Sequence, residues 1–232
     1  MSHSSQQKIW EEEHRNPQVL LPMDSTEVSQ GVLLFWDWLQ KKKFPQPLHG
    51  LEMGCGKGRN SIWLAQQGLK MNGFDFSPFA IKEAKKRALE ANLKTPLHFC
   101  VHDAAQPWPF KNDSFDFAID CFASTDIDSL QSRTFARDEW RRVLKLNGYL
   151  LIYTLSTDDA FHQEMRKSSP APEKNSFLHP SNGKFEKVFE EEELKAFYQD
   201  WTLVEKKRIS KTATFFGKNY NCSHFWMVLQ KG

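Results

Sequence analysis

Between residues 48 and 155, short apolar runs alternate with amphipathic segments, and this rhythm leaves few folds open. Leu48–Met53, Lys70–Phe74, Pro96–Val101, Phe115–Ile119 and Tyr149–Leu155 read as strands. Gly58–Gln67, a segment from Ser77 to about Ala91, and 129–144 read as helices. Gly68 suits the position just past a helix end, and Ser77 caps a helix whose first residue is Pro78. Strands separated by helices of roughly 10–15 residues imply βαβ units. Right-handed crossovers then place helices on both faces of a mainly parallel α/β sheet.

The flanks are less regular. Residues 1–23 read as polar and irregular, broken by Pro17 and Pro22. A helix is expected to start after Asp24 or Ser25, both good caps, and to end near Lys43, before Pro45 and Pro47. Its apolar face is Val28, Val32, Phe35, Trp36 and Leu39. Residues 156–185, rich in Ser, Pro, Asn and Lys, break the rhythm and read as a long insertion or lid. A helix near Glu190–Tyr198 follows, then strands Trp201–Ile209 and Phe225–Leu229, joined through a turn at Gly217–Asn221.

A chain of 232 residues with 19 phenylalanines can bury a sizeable core in one domain. Its 31 basic and 29 acidic residues leave a net charge of +2, no electrostatic footprint for nucleic acid. Lys41–Lys43 read as a solvated helix end. Cys55, Cys100, Cys121 and Cys222 form no C-x-x-C pair, which suggests neither a zinc site nor a disulfide framework. His98 and His102 share a strand face without further ligands in view, so no metal is assigned. The N-terminus lacks an apolar signal core, and no segment approaches the ~20 apolar residues of a membrane span. The expectation is a soluble, reduced, cytoplasmic protein, monomeric or homodimeric.

Chemistry concentrates where strands end. Gly54, Gly56 and Gly58 follow the first strand of the series, with Glu52 just ahead of them. Such a loop turns sharply, lets a ligand approach the backbone, and presents free N–H groups at a helix start. Asp75, Asp103 and Asp120 with Cys121 end the next three strands, where open α/β sheets bind ligands. Arg59 stands where a dinucleotide fingerprint needs glycine, which disfavours an NAD(P)-linked oxidoreductase, and no P-loop ending is present. A carboxylate such as Asp75 can accept hydrogen bonds from two ribose hydroxyls, a contact that suits any adenosine cofactor.

These residues resemble the class I S-adenosylmethionine (SAM)-dependent methyltransferases. Leu51–Gly58 is similar to their first motif, Gly73–Ile81 to their second, and Asp103–Phe110 with Ser114–Asp116 to their third and fourth. Val143–Tyr149 resembles the approach to their fifth strand, and Gly58–Ser61 is similar to the tellurite- and thiopurine-type branch. The resemblance implies a three-layer Rossmann-like sandwich: a mainly parallel seven-stranded sheet, an antiparallel last strand and an N-terminal helical cap. One domain would span 1–232, with cap 1–45, SAM-binding core 46–155, insertion or lid 156–185, and C-terminal helix and strands 186–232.

The same resemblance implies site roles. Gly54, Cys55, Gly56 and Gly58 would pack on the methionine part of SAM. Glu52 would hold the loop or reach the methionine ammonium. Asp75 would bind the ribose, Phe76 would lie against the adenine, Asp103 would accept from the adenine amino group, and Ala104 N–H would donate to the ring. Asn60, Ser77, Asp120 and Cys121 complete the set, with the Asp120 backbone near the ammonium. Blander readings stand beside these: Glu52 as a strand-end pair, Asp75 as a helix cap, Asp103 as a loop acid, Phe76 and Cys121 as core.

Methyl transfer from a sulfonium is an in-line displacement in which alignment and desolvation suffice for many acceptors. A general base, if used, is expected in Asp120–Asp128, with Asp126 or Asp120 as candidates; capping is the competing role for Asp126. The acceptor, a small molecule, is expected among Trp10, His14, Phe122, Phe216 and Tyr220. Phe161, Phe177, Phe215 and histidines 162, 179 and 224 lie in the same variable regions: 10–24, 156–185 and the Thr212–His224 connection. A protein methyltransferase and a non-catalytic SAM-binding scaffold remain the alternatives.

Overall fold

The computed structural model describes residues 3–17, 24–42, 44 and 47–232, with the side chains of 3–5 left aside. Pro22, Lys43 and Pro45 lie outside the described residues.

The series from 48 onwards forms as expected. β1 (His49–Met53), β2 (Lys70–Asp75), β3 (Leu97–Val101), β4 (Phe115–Cys121) and β5 (Leu144–Leu155) alternate with α3 (Arg59–Gln66), α4 (Pro78–Glu90) and α5 (Leu130–Val143). The Ser77 hydroxyl accepts from Ala80 N–H (3.0 Å), and Ser129 caps α5 in the same way. Gly68 closes α3 at φ 95°. Before the series lie α1 (His3–Arg15) and α2 (Gln30–Lys42). After it come α6 (Ala160–Ser168), β6 (Ser176–Leu178), β7 (Phe185–Lys187), α7 (Glu191–Phe197), β8 (Thr202–Phe215) and β9 (Lys218–Gln230).

The main sheet has seven strands in the order β3-β2-β1-β4-β5-β9-β8. β1 to β5 pair in parallel, and the last strand, β9, runs antiparallel to both β5 and β8. β6 and β7 form a separate hairpin. One face of the sheet packs on α2 and α3 through Val32, Phe35, Leu39 and Leu64; the other packs on α5 and α7 through Ala136, Trp140 and Leu194. Each fully buried large apolar side chain contributes about 1.5–3 kcal/mol, so the two layers fix the sheet beneath the site. No helix among the described residues is long and apolar enough to cross a membrane.

Four segments differ from the sequence reading. Residues 3–15 are helical, not irregular, because the buried face of α1 is Gln6, Trp10, Glu13 and His14: helical spacing without an apolar stripe. α2 begins at Gln30, since Asp24 is drawn to Lys57 and the Ser25 hydroxyl accepts from Glu27 N–H (3.1 Å). The insertion 156–185 is folded as α6 and β6, with β7 starting at its end. The Thr212–His224 connection is strand: β8 and β9 pair continuously around a two-residue turn, Phe216 (φ 50°) and Gly217 (φ 78°). Positive φ at both positions matches the right-handed twist of a hairpin.

Candidate active site

Met53 pairs in register with Phe74 on one side and Asp120 on the other, so β1, β2 and β4 end along one edge. There the chain order reverses, with β2 and β3 on one flank of β1 and β4 and β5 on the other, which is where open α/β sheets take ligands. Gly54, Gly56 and Gly58 have φ of 62°, 52° and 82°, a region costly for side-chain-bearing residues. A Cβ on Gly54 would come within 2.5 Å of the Ala123 Cβ, so the loop's approach to the 3-10 turn Ala123–Asp126 requires glycine.

Two carboxylates hold this loop. Glu52 accepts from Asn60 Nδ2 (2.8 Å), Ser61 N–H (3.1 Å) and the Ser61 hydroxyl. Burial nevertheless pushes it up to about 7, with those donors and Arg59 pulling the other way. Asp75 accepts Gly56 N–H on Oδ2 (2.9 Å) and Ser77 N–H on Oδ1 (2.9 Å). Each of its oxygens keeps a second lone pair, so it both steadies the turn and retains capacity for a ligand hydroxyl.

A cavity of about 420 Å³ opens above this edge. From the expected cofactor set, Glu52, Gly54, Cys55, Gly56 and Asn60 line it, as do Asp75, Phe76, Asp103, Ala104 and Cys121. Three others stand behind the wall. Gly58 precedes α3 and packs on Phe99, 2.7 Å from where a Cβ would sit. Ser77 is enclosed, capping α4 and donating to Glu11. The Asp120 carboxyl points into the core: Oδ1 accepts Ser124 N–H (3.0 Å), Oδ2 has no hydrogen-bond partner, and burial raises it to about 6. The Cys121 thiol, 3.2 Å from the Ser29 hydroxyl, is pushed up to about 12 by burial and is no nucleophile. Asp103 Oδ1 accepts Ala105 N–H (2.9 Å), which shapes its turn.

Trp10, His14, Phe122 and Asp126 line the other half of the cavity, joined by Phe161, His162, Phe215 and His224. Burial pulls His14 below the usual imidazole range, and its Nδ1 has no hydrogen-bond partner. Phe216 and Tyr220 are not part of the lining. Phe216 is 66% exposed at the hairpin turn, and Tyr220 packs 5.4 Å from the Phe161 ring and donates to Glu164 (3.2 Å). Phe177 and His179 are also outside it.

Sequence reasoning missed the polar centre of this half. Lys184 is fully buried, hydrogen-bonded to Glu186, 3.5 Å from Asp126 Oδ1, and 4.9 Å from the Trp10 ring centre. Burial raises Asp126 to about 8; Lys184 opposes that shift and Glu186 adds to it. Glu186 is held low against its own burial, chiefly by Lys184. One cation thus serves two carboxylates: it holds Glu186 low, while burial and Glu186 push Asp126 up. The local string Lys-Phe-Glu-Lys carries no sign of this.

Beside it, Asp159 caps α6, accepting His162 N–H on Oδ1 (3.1 Å) and Ser223 N–H from β9 on Oδ2 (3.0 Å). His162 Nδ1 lies 2.6 Å from Asp159 Oδ1. Burial works against the Asp159 charge, but His162 and these N–H groups outweigh it and hold the carboxyl at about 2. His224, pushed down to about 4 by burial and then by Lys211, meets the Tyr153 hydroxyl at Nδ1 (3.0 Å).

α1 ties the two halves together. Gln7 donates to Phe76 O (3.0 Å), and Glu11 accepts Phe79 N–H (3.3 Å) on the cofactor side. Gln6 donates to Gly183 O (3.1 Å) and accepts Phe185 N–H (3.0 Å) on the other.

Residues 47–199 match the methyltransferase domain family. TehB of Haemophilus influenzae, named as a probable S-adenosyl-L-methionine-dependent methyltransferase, is 24% identical over 170 residues, 73% of this chain and 51% of that protein. The ubiquinone/menaquinone biosynthesis C-methyltransferase UbiE of Rickettsia massiliae is 29% identical over 114 residues, 47% of this chain and 44% of its own. The chain therefore spans about half the length of these curated relatives. A SAM-dependent methyltransferase structure from Methanosarcina mazei superposes with a TM-score of 0.72 at 25% identity, covering 83% of this chain and 96% of its own. With the motif order, the strand-end site and the family match in agreement, the chain belongs to the class I SAM-dependent methyltransferases and is related to the TehB branch.

Proposed function

We propose that this protein transfers the methyl group of SAM to a small-molecule acceptor by in-line displacement. One observation carries the reading: the residues expected to hold the cofactor and an aromatic second group line a single cavity of about 420 Å³, with walls from α1, α6 and the β8–β9 hairpin. That volume falls in the range of small-molecule sites.

The residues present fit the cofactor. In this reading the glycine loop takes the methionine part, Asp75 keeps acceptor capacity for ribose hydroxyls, and Phe76, Asp103 and Ala104, which line the same cavity, take the adenine. Glu52 holds the loop and keeps one lone pair for the ammonium. SAM supplies the electrophilic methyl. The protein's own part is to orient the two reactants along one line and to exclude water, effects that together lower a barrier by several kcal/mol. Ser77, Asn60 and Gly58 act through the loop they hold. Asp126, its carboxyl pushed up by burial beside Lys184, suits hydrogen-bond donation to the acceptor better than proton removal.

Titration with SAM by calorimetry tests the reading. Binding in the micromolar range is expected, with turnover on a panel of phenols, amines and thiols. A folded protein that binds no SAM at millimolar concentration overturns it, and binding without turnover on any acceptor favours the scaffold alternative.

A further inference from the structure

We propose that His162 is the proton acceptor of the transfer, that Asp159 is its positioning residue, and that the acceptor is a phenol-class hydroxyl. The inference rests on the methyl-transfer reading above. Among the imidazoles that line the cavity, His162 and His224 flank the same carboxylate. His224 spends Nδ1 on the Tyr153 hydroxyl (3.0 Å) and turns Nε2 toward Asp159 Oδ2 (3.9 Å). His162 has Nδ1 2.6 Å from Asp159 Oδ1, out of line for a regular hydrogen bond, and turns Nε2 toward Glu186 Oε2 at 3.7 Å, beyond hydrogen-bond reach. A carboxylate this near Nδ1 favours the tautomer with its proton on Nδ1, which leaves Nε2 to take a proton.

The carboxylate is itself immobilised. Asp159 is fully buried and takes N–H groups from α6 and from Ser223 of β9, so it cannot swing away from the ring. Charged and titratable groups near His162 from the neighbouring elements are Glu186 (Oε2 at 3.7 Å from Nε2) and His179 from the β6–β7 hairpin and His224 from β9, with Lys184 paired to Glu186 and Lys211 of β8 acting on His224. Lys184 occupies the centre of the Asp126–Glu186 pair, so this end is not built to receive a substrate ammonium. What remains is an aromatic wall, Trp10, Phe122 and the stacked pair Phe161 and Phe215, beside the His162 imidazole. A flat ring carrying a hydroxyl fits it. Phenols, with pKa near 10, are poor nucleophiles until the proton leaves, and so gain most from a base.

The step balances. The phenolic oxygen bonds to the methyl carbon while the methyl–sulfur bond breaks; sulfur keeps that electron pair and becomes a neutral thioether. The phenolic proton passes to Nε2, and the imidazolium is paired with Asp159 until solvent takes the proton.

The test uses 4-nitrophenol, whose anion is coloured, added to the full chain saturated with S-adenosylhomocysteine at a pH well below the ionisation point of the free phenol. The expected result is a phenolate fraction in the bound ligand about tenfold above that of the free ligand. His162→Gln should bind the ring but leave it protonated, and Asp159→Asn should move the pH midpoint of the coloured band upward. Binding as the neutral phenol, an unchanged band in His162→Gln, or no nitrophenol binding at millimolar concentration each overturns the inference. If His162→Gln fails to fold, the wild-type spectrum and its pH midpoint decide. S-adenosylhomocysteine binding, followed separately by calorimetry, distinguishes the two failures. If it persists without nitrophenol ionisation, only this inference falls; if it is absent, the methyltransferase reading falls as well.

Discussion

Glu52 offers the most quantitative test of how the loop is held. It is buried, it sits two residues before Gly54, and it accepts from Asn60 Nδ2 and from both the N–H and the hydroxyl of Ser61. Burial outweighs those donors, so its pKa rises from the ordinary 4.5 to about 7. In the unfolded chain the group titrates near its ordinary value. Between the two values the folded protein carries a proton that the unfolded chain has lost, so stability must fall as pH rises through that window. The contribution is fully present below the lower value and gone above the higher one. At about 1.36 kcal/mol for each tenfold change in proton affinity, the swing is about 3 kcal/mol. Glu52→Gln keeps the shape and removes the titration. Its carbonyl still serves Ser61 while its amide opposes Asn60 Nδ2, a pH-independent loss of about 1 kcal/mol. Relative to Glu52→Gln, the wild type should therefore be about equally stable at about pH 5 and about 2 kcal/mol less stable at about pH 8, with other titrating groups cancelling in the difference. Urea unfolding of both proteins at the two pH values, with unchanged m-values, gives that difference directly. A difference that stays constant with pH refutes the reasoning, because the carboxyl would then be ionised throughout.

Lys184→Met fills the same volume but strips the shared cation from Asp126 and Glu186, and should cost about 3–5 kcal/mol, read by denaturant unfolding. A loss below about 1 kcal/mol would mean that water already screens the cluster. Asp75→Ala should weaken SAM binding at least about tenfold by calorimetry, through the lost ribose acceptor and the freed Gly56 N–H; unchanged affinity removes the ribose assignment. Gly31→Ala would place a Cβ 2.3 Å from the Tyr153 ring, where α2 crosses β5, and should destabilise the protein by about 1–3 kcal/mol in thermal or urea unfolding; a neutral result would mean that the ring yields freely.

The cofactor half of the site was legible because its parts are local. Glu52 to Asn60, Asp75 to Ser77, Asp103 to Ala104 and Cys121 each follow a strand end, and the register of β1 with β2 and β4 brings those ends level. Here local chemistry and topology point to the same answer. The acceptor half has no such property. Trp10, Asp126, His162, Glu186, Phe215 and His224 come from six elements and meet only after the sheet has closed. The N-terminal helix hides because periodicity reports apolar faces. The buried face of α1 is largely polar, and Gln6 is satisfied by backbone groups of Gly183 and Phe185, more than 170 residues away. The outer part of β8 hides for the opposite reason: residues 210–212 are exposed, so no alternation marks a strand, and ladder bonds to β9 rather than burial extend it. Nothing in the local sequence singles out Lys184 and Glu186, which are buried. A lone buried charge would be prohibitive; Lys184 and Glu186 compensate each other, and Asp126 from the loop after β4 adds a further partner for the lysine. Whether a charged residue belongs to solvent or to a site is decided by partners that only the folded chain assembles. For that reason the methyl donor can be assigned from motifs, whereas the acceptor has to be inferred from geometry.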